Sequence, residues 1–84
     1  MTAAERLRSA GYEDTVILDN YSYDDALIGV TEDGRAVYDF DKMISWLMQR
    51  EGWSALEAIE WIEVNTIGAL PYAGDAAPII IYPV

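Results

Sequence analysis

Two short runs of strand-forming residues, Ala26-Leu27-Ile28-Gly29-Val30-Thr31 and Arg35-Ala36-Val37-Tyr38, are separated by nothing but Glu32-Asp33-Gly34. An Asp-Gly pair between two such runs supplies the positive φ that a tight connection needs, so this spacing predicts a β-hairpin. Gly29 inside the first run predicts a bulge or the close approach of another group. The rest of the chain has to build around that hairpin. Upstream, Thr15-Val16-Ile17-Leu18 is a further β-branched run and predicts a strand. Asn20-Tyr21-Ser22-Tyr23-Asp24-Asp25 reads as an irregular connection rich in turn formers.

Helix signals flank the hairpin. Thr2-Ala3-Ala4-Glu5 has the pattern of a capping box, opening a short helix to about Ser9 with Gly11 beyond its end. Asp39 or Asp41 is placed to cap a helix from Lys42 to about Arg50, whose apolar face is Met43, Ile44, Leu47 and Met48 with Trp46 on the flank. Ser54-Ala55-Leu56-Glu57 is a second capping box, opening a helix to about Asn65 with Leu56, Ile59 and Ile62 on one side. Residues 69–75 read as loop, and Pro78-Ile79-Ile80-Ile81-Tyr82-Pro83 predicts a last strand without alternation, hence covered on both faces or meeting a partner. The order predicts a single α+β domain over 1–84: a small, mostly antiparallel sheet of about four strands with two to three helices on one face.

Charge narrows the classes of function. Fifteen acids face five bases, a net charge of −10, while 52% hydrophobic content still argues for a folded chain. Such a surface disfavours nucleic acid and anionic membranes and favours basic proteins, including their nucleic-acid-binding grooves. With no Cys and no His, thiolate chemistry, disulfides, imidazole bases and the usual zinc patterns are excluded. The first residues lack a basic segment followed by an apolar run, and the longest apolar run, Ile79 to Tyr82, is far short of a membrane span, so a cytoplasmic location is expected.

The candidate site follows from where the acids sit. Between Glu13 and Asp41 there are nine carboxylates against one base, Arg35. Some have structural work: Asp33 serves the turn, and Asp39 or Asp41 a helix cap. Asp24, Asp25 and Glu32 have none visible in the sequence. Glu57, Glu60 and Glu63 recur every three residues and form a second acidic face. Tyr21 and Tyr23 lie outside any clear helix or strand face, beside acids, as aromatic anchors at interfaces do. The expected partner-binding set is therefore Tyr21, Tyr23, Asp24, Asp25, Glu32, Asp33, Asp39, Asp41, Glu57, Glu60 and Glu63. Asp24-Asp25 and Asp39-Phe40-Asp41 offer oxygen ligands, but the spacing of a calcium loop is absent, so no metal site is assigned. No catalytic residue and no cofactor are assigned either, since paired carboxylates need a deep cleft to raise one pKa.

The hairpin Glu32-Asp33-Gly34-Arg35-Ala36-Val37-Tyr38-Asp39 and the stretch Asn65-Thr66-Ile67-Gly68-Ala69-Leu70-Pro71-Tyr72 resemble those of small acidic proteins of phages and mobile elements. In size and acidity the chain is similar to anti-CRISPR inhibitors of the DNA-mimic type. That resemblance implies a non-catalytic inhibitor acting in the host cytoplasm. Its partner would be a basic nucleic-acid-binding host protein, such as a Cas effector subunit. A monomer is expected ahead of a homodimer. The alternative is a protein–protein module or homodimer that uses the apolar C-terminal strand, with the charge serving solubility.

Overall fold

A computed structural model describes residues 1–84. The predicted hairpin is its centre. Strand β1 (Leu27–Val30) pairs antiparallel with β2 (Ala36–Asp39), and Thr31 ties the turn. The Thr31 carbonyl accepts the Gly34 amide at 2.9 Å, and its hydroxyl accepts the Arg35 amide at 2.9 Å and donates to the Asp33 carboxylate. Gly34 takes φ +87°, the left-handed conformation a Cβ would oppose. Leu27 faces Tyr38 and Gly29 faces Val37, so Ile28 is the extra residue of a bulge. A Cβ on Gly29 would meet nothing within 4 Å, which leaves the bulge and not close approach as its role.

The α+β class holds, with a correction to the sheet. It has three strands in the order β1-β2-β3 rather than about four, and it is mixed, since β3 (Ile79–Ile81) runs parallel to β2. The predicted strand Thr15–Leu18 pairs with no other strand. The Leu18 amide is satisfied outside the sheet ladder, by the Tyr38 hydroxyl at 3.3 Å. Parallel pairing needs a crossover, which the helices between β2 and β3 supply.

Helix α1 (Ala3–Ser9) starts at the Thr2–Glu5 capping box. It ends in a Schellman arrangement: the Tyr12 amide reaches the Leu7 carbonyl, the Gly11 amide reaches that of Arg8, and Gly11 has φ +91°. Helix α2 (Phe40–Glu51) is capped by Asp39, whose side chain accepts the Lys42 amide at 3.0 Å, and is closed by Gly52 at φ +72°. Helix α3 (Ala55–Trp61) opens at the Ser54–Glu57 capping box. It then widens into a π-helical segment, Ile62–Thr66, and continues as 3₁₀ turns over Ile67–Ala76, broken at Gly74, where the sequence predicts a loop.

Twelve buried residues form one core, contributed by α1, the stretch from Leu18 to Leu27, β2 and α2, and the α3–π helix. Alternation turns Ala36 and Tyr38 inward on β2 and leaves Val37 and Asp39 on the other face. The largest fully buried side chains are Tyr23, Tyr38, Met43, Leu47 and Ile62. Each contributes roughly 1.5–3 kcal/mol by burial, which conformational entropy largely offsets. No buried side-chain polar atom lacks a hydrogen-bond partner. The inward face of α3 is Ala58 and Ile62, continued by Thr66; Leu56, expected on it, is 65% exposed. Likewise β3 is only partly covered, with Ile81 38% exposed.

Candidate partner-binding surface

The fold separates the acids into three places. Asp24 and Asp25 lie in a 3₁₀ turn (Asp24–Ala26) just before β1, and Asp39 and Asp41 lie just after β2. The antiparallel register brings these two pairs to the same end of the hairpin. Glu32 and Asp33 sit at the opposite end, roughly 13 Å away for four residues of strand. Glu57, Glu60 and Glu63 ride on α3 and the π segment. The loop and the hairpin tip, adjacent in sequence, therefore do not form one patch.

Several of these acids already hold the fold. Asp24, which has no evident structural task in the sequence, accepts the Ala3 amide at 2.7 Å through its carboxylate, while its own carbonyl accepts Arg6 at 2.8 Å. It is the hinge pin of α1. Asp39 caps α2, and Asp33 is held by Thr31. Glu57 accepts the Ser54 amide at 2.9 Å, and this bond keeps its carboxyl below the usual range; Glu5 is lowered in the same way by the Thr2 amide. Of the expected set, Asp25, Glu32, Asp41, Glu60 and Glu63 are exposed and make no hydrogen bond or ion pair within the fold; outside it the same is true of Glu13, Asp14, Asp19 and Asp75.

The bases do not neutralise them. Arg35, the one base in the acidic stretch, donates its Nε to the Ala77 carbonyl at 2.8 Å and fixes the entry to β3. Arg6 serves the Asp24 carbonyl. Arg50 lies over aromatic rings, 5.1 Å from the Trp46 centroid and 5.9 Å from that of Tyr21. The sole ion pair in the molecule is Arg50–Glu51, at 4.0 Å.

The tyrosines part company. Tyr23, expected at an interface, is fully buried: its hydroxyl shares a 2.8 Å hydrogen bond with Thr66, and burial raises its pKa to about 12. Its backbone is left-handed (φ +46°), which for a non-glycine residue costs about 1 kcal/mol or more and is offset by the ring's burial. The sequence hid this because the ring packs through an irregular segment that has no period to read. Tyr21 is half-buried and central to an aromatic cluster. Its ring meets those of Trp46 (5.8 Å), Trp53 (6.4 Å) and Trp61 (4.9 Å) edge-on, and its hydroxyl donates to Glu51 at 2.8 Å, which raises its pKa.

Two concavities border these groups. One, of about 330 Å³, is lined mainly by apolar residues from Val16–Leu18 and the 3₁₀ turns. The other, a shallow depression of about 440 Å³ largely open to solvent, lies against α3 beside Trp53, Trp61, Glu57, Glu60, Val64 and Asn65. No sequence signal beyond the i, i+3, i+4 spacing of these residues marked it. No three carboxylates converge as a metal-binding group, and no helix is long and apolar enough to cross a membrane. No protein-family model, curated protein or solved structure matches the chain.

Proposed function

We propose that this chain is a non-catalytic acidic binding protein whose carboxylates occupy the basic, nucleic-acid-binding surface of another protein, in the manner of a DNA mimic. The observation that carries this reading is fifteen acids and five bases with a single ion pair among them. Ordinary surfaces mix signs, and an uncompensated charge of this size opposes compaction. Of the five bases, Arg6 and Arg35 are committed to backbone carbonyls and Arg50 to aromatic rings, while Arg8 and Lys42 make no ion pair. Asp25, Asp41, Glu32, Glu60 and Glu63 would stand in for phosphates. A phage-encoded inhibitor of a Cas effector subunit is the specific form suggested by the resemblance.

The test is competition under varied salt. A partner captured from host lysate on the immobilised protein at low salt is expected to be released by duplex DNA. Its affinity should fall at least about tenfold between about 50 and 200 mM salt, because the contacts are charged. Binding that is indifferent to both would sink the mimic.

A second reading has its own observation. Strand β3 is an edge, and Ile79 and Ile81 share the sheet face turned from the core, next to Val37. Pairing through that edge would give a homodimer or an apolar protein contact. Light scattering behind size exclusion decides: a dimer broken by Ile81→Lys supports it, and a monomer at all concentrations removes the homodimer.

A further inference from the structure

We propose that the shallow, solvent-open cavity beside Trp53 and Trp61, lined also by Glu57 and Glu60, receives the guanidinium group of an arginine presented by the basic partner. This rests on the reading above and names the spot where that partner would be gripped rather than merely attracted.

The lining is assembled by helical spacing. Glu57, Glu60, Trp61 and Val64 follow one another at three, one and three residues, and Trp53 closes the side from the preceding connection. The two indoles stand 6.2 Å apart, tilted by 39°, and both remain partly exposed. One oxygen of Glu57 is fixed by the Ser54 amide, which orients the carboxylate and lowers its pKa, and the other is free. Glu60 is exposed and makes no internal hydrogen bond. No Lys or Arg lines the cavity. Val64, 73% exposed, offers an apolar rest for a side-chain stem.

Aromatic faces combined with carboxylates select a cation. Of the two common cationic side chains, the planar guanidinium stacks on an indole and forks to a carboxylate, whereas an ammonium does so as a point charge. The molecule already contains the same arrangement on the neighbouring part of its aromatic cluster. There Arg50 lies over Trp46 and Tyr21, with the Glu51 carboxylate beside its guanidinium. Tyr21 joins the two halves, touching Trp46 on one side and Trp53 and Trp61 on the other. The cavity repeats the internal pattern with the arginine left to come from outside.

The experiment uses the full chain and a blocked Gly-Arg-Gly peptide, with Gly-Lys-Gly and Gly-citrulline-Gly as controls, read by the indole N–H resonances of the three tryptophans. Trp53 and Trp61 are expected to shift to saturation with the arginine peptide, with Trp46 unmoved, lysine weaker by about threefold or more, and citrulline inert. Glu60→Gln is expected to weaken binding about three- to tenfold. Asp25→Asn, which removes the same charge at the hairpin end, should weaken it less than twofold. Equal losses in the two variants, or shifts spread over all three indoles, overturn the cavity while leaving the acidic-binder reading intact. Site-specific shifts together with a partner that salt and DNA fail to release would do the reverse. Unchanged melting of Glu60→Gln guards against a folding artefact.

Discussion

The Tyr23–Thr66 pair offers a sharp check on the core, because both hydroxyls are buried and each has the other as its partner. Tyr23→Phe keeps the ring and removes only the hydroxyl. It forfeits a net hydrogen bond, about 1 kcal/mol, and strands the Thr66 oxygen, which can recover part of the loss by bonding the carbonyl one helical turn back. The sum is about 1.5 kcal/mol. Thr66→Val strands the phenol instead and should cost about 2 kcal/mol, since a phenol in the core has no such fallback. The double variant leaves neither oxygen orphaned and should cost less than the two single losses together by at least about 1 kcal/mol. An unfolding entropy of about 2.1 cal/mol/K per residue over 84 residues makes 1.5 kcal/mol worth about 8 °C in melting temperature. Urea titration followed by tryptophan fluorescence, with the slope m unchanged, gives the free energies. Strict additivity, or a Tyr23→Phe loss below about 0.3 kcal/mol, would refute a mutually satisfied buried pair. Partner affinity should be unmoved by Tyr23→Phe.

Asp24→Ala should release the start of α1 by removing the acceptor of the Ala3 amide: a loss of about 1 kcal/mol and faster amide exchange over residues 3–9, with Asp25→Ala near neutral. Gly52→Ala forces a Cβ into the left-handed cap of α2 and should cost about 1 kcal/mol by urea titration, even though the surrounding space is open. At alkaline pH the sign is set by Tyr23 and Tyr38, whose pKa values burial raises, the first to about 12. Unfolded tyrosine ionises near pH 10, so the unfolded chain loses protons first; stability is whole below about pH 10 and falls as pH climbs toward 12. Absorbance at phenolate wavelengths should show a late phase that urea abolishes.

The parts of the fold legible in the sequence are those with local causes. Both capping boxes, the α2 cap narrowed to Asp39 or Asp41, and the Gly34 turn each need only three or four consecutive residues. What the sequence could not show depends on distant partners. Thr15–Leu18 has the composition of a strand, yet it joins no ladder, and its Leu18 amide goes to the Tyr38 hydroxyl 20 residues on. Leu56 follows the helical period, but the α3 face that turns inward is set by Ala58 and Ile62 packing on the rest of the core. The candidate site suffered in the same way. Asp24 looked free because its partner, the Ala3 amide, lies 21 residues away, and Tyr23 looked exposed because its partner lies 43 residues away. Glu57 and Glu60 were visible as acids, but their alliance with Trp53 and Trp61 required the helix to be seen in place.

The lone ion pair has a consequence for how folding and binding answer to ionic strength. In the free chain the carboxylates repel one another, so dilute buffer should loosen the fold and added salt should firm it. In the proposed complex the same carboxylates would face cations, so dilute buffer should tighten the grip and added salt relax it. The two responses run in opposite directions from one distribution of charge. A partner that neutralises these acids also removes the strain on their scaffold, so the bound protein should melt higher than the free one by the most where salt is lowest.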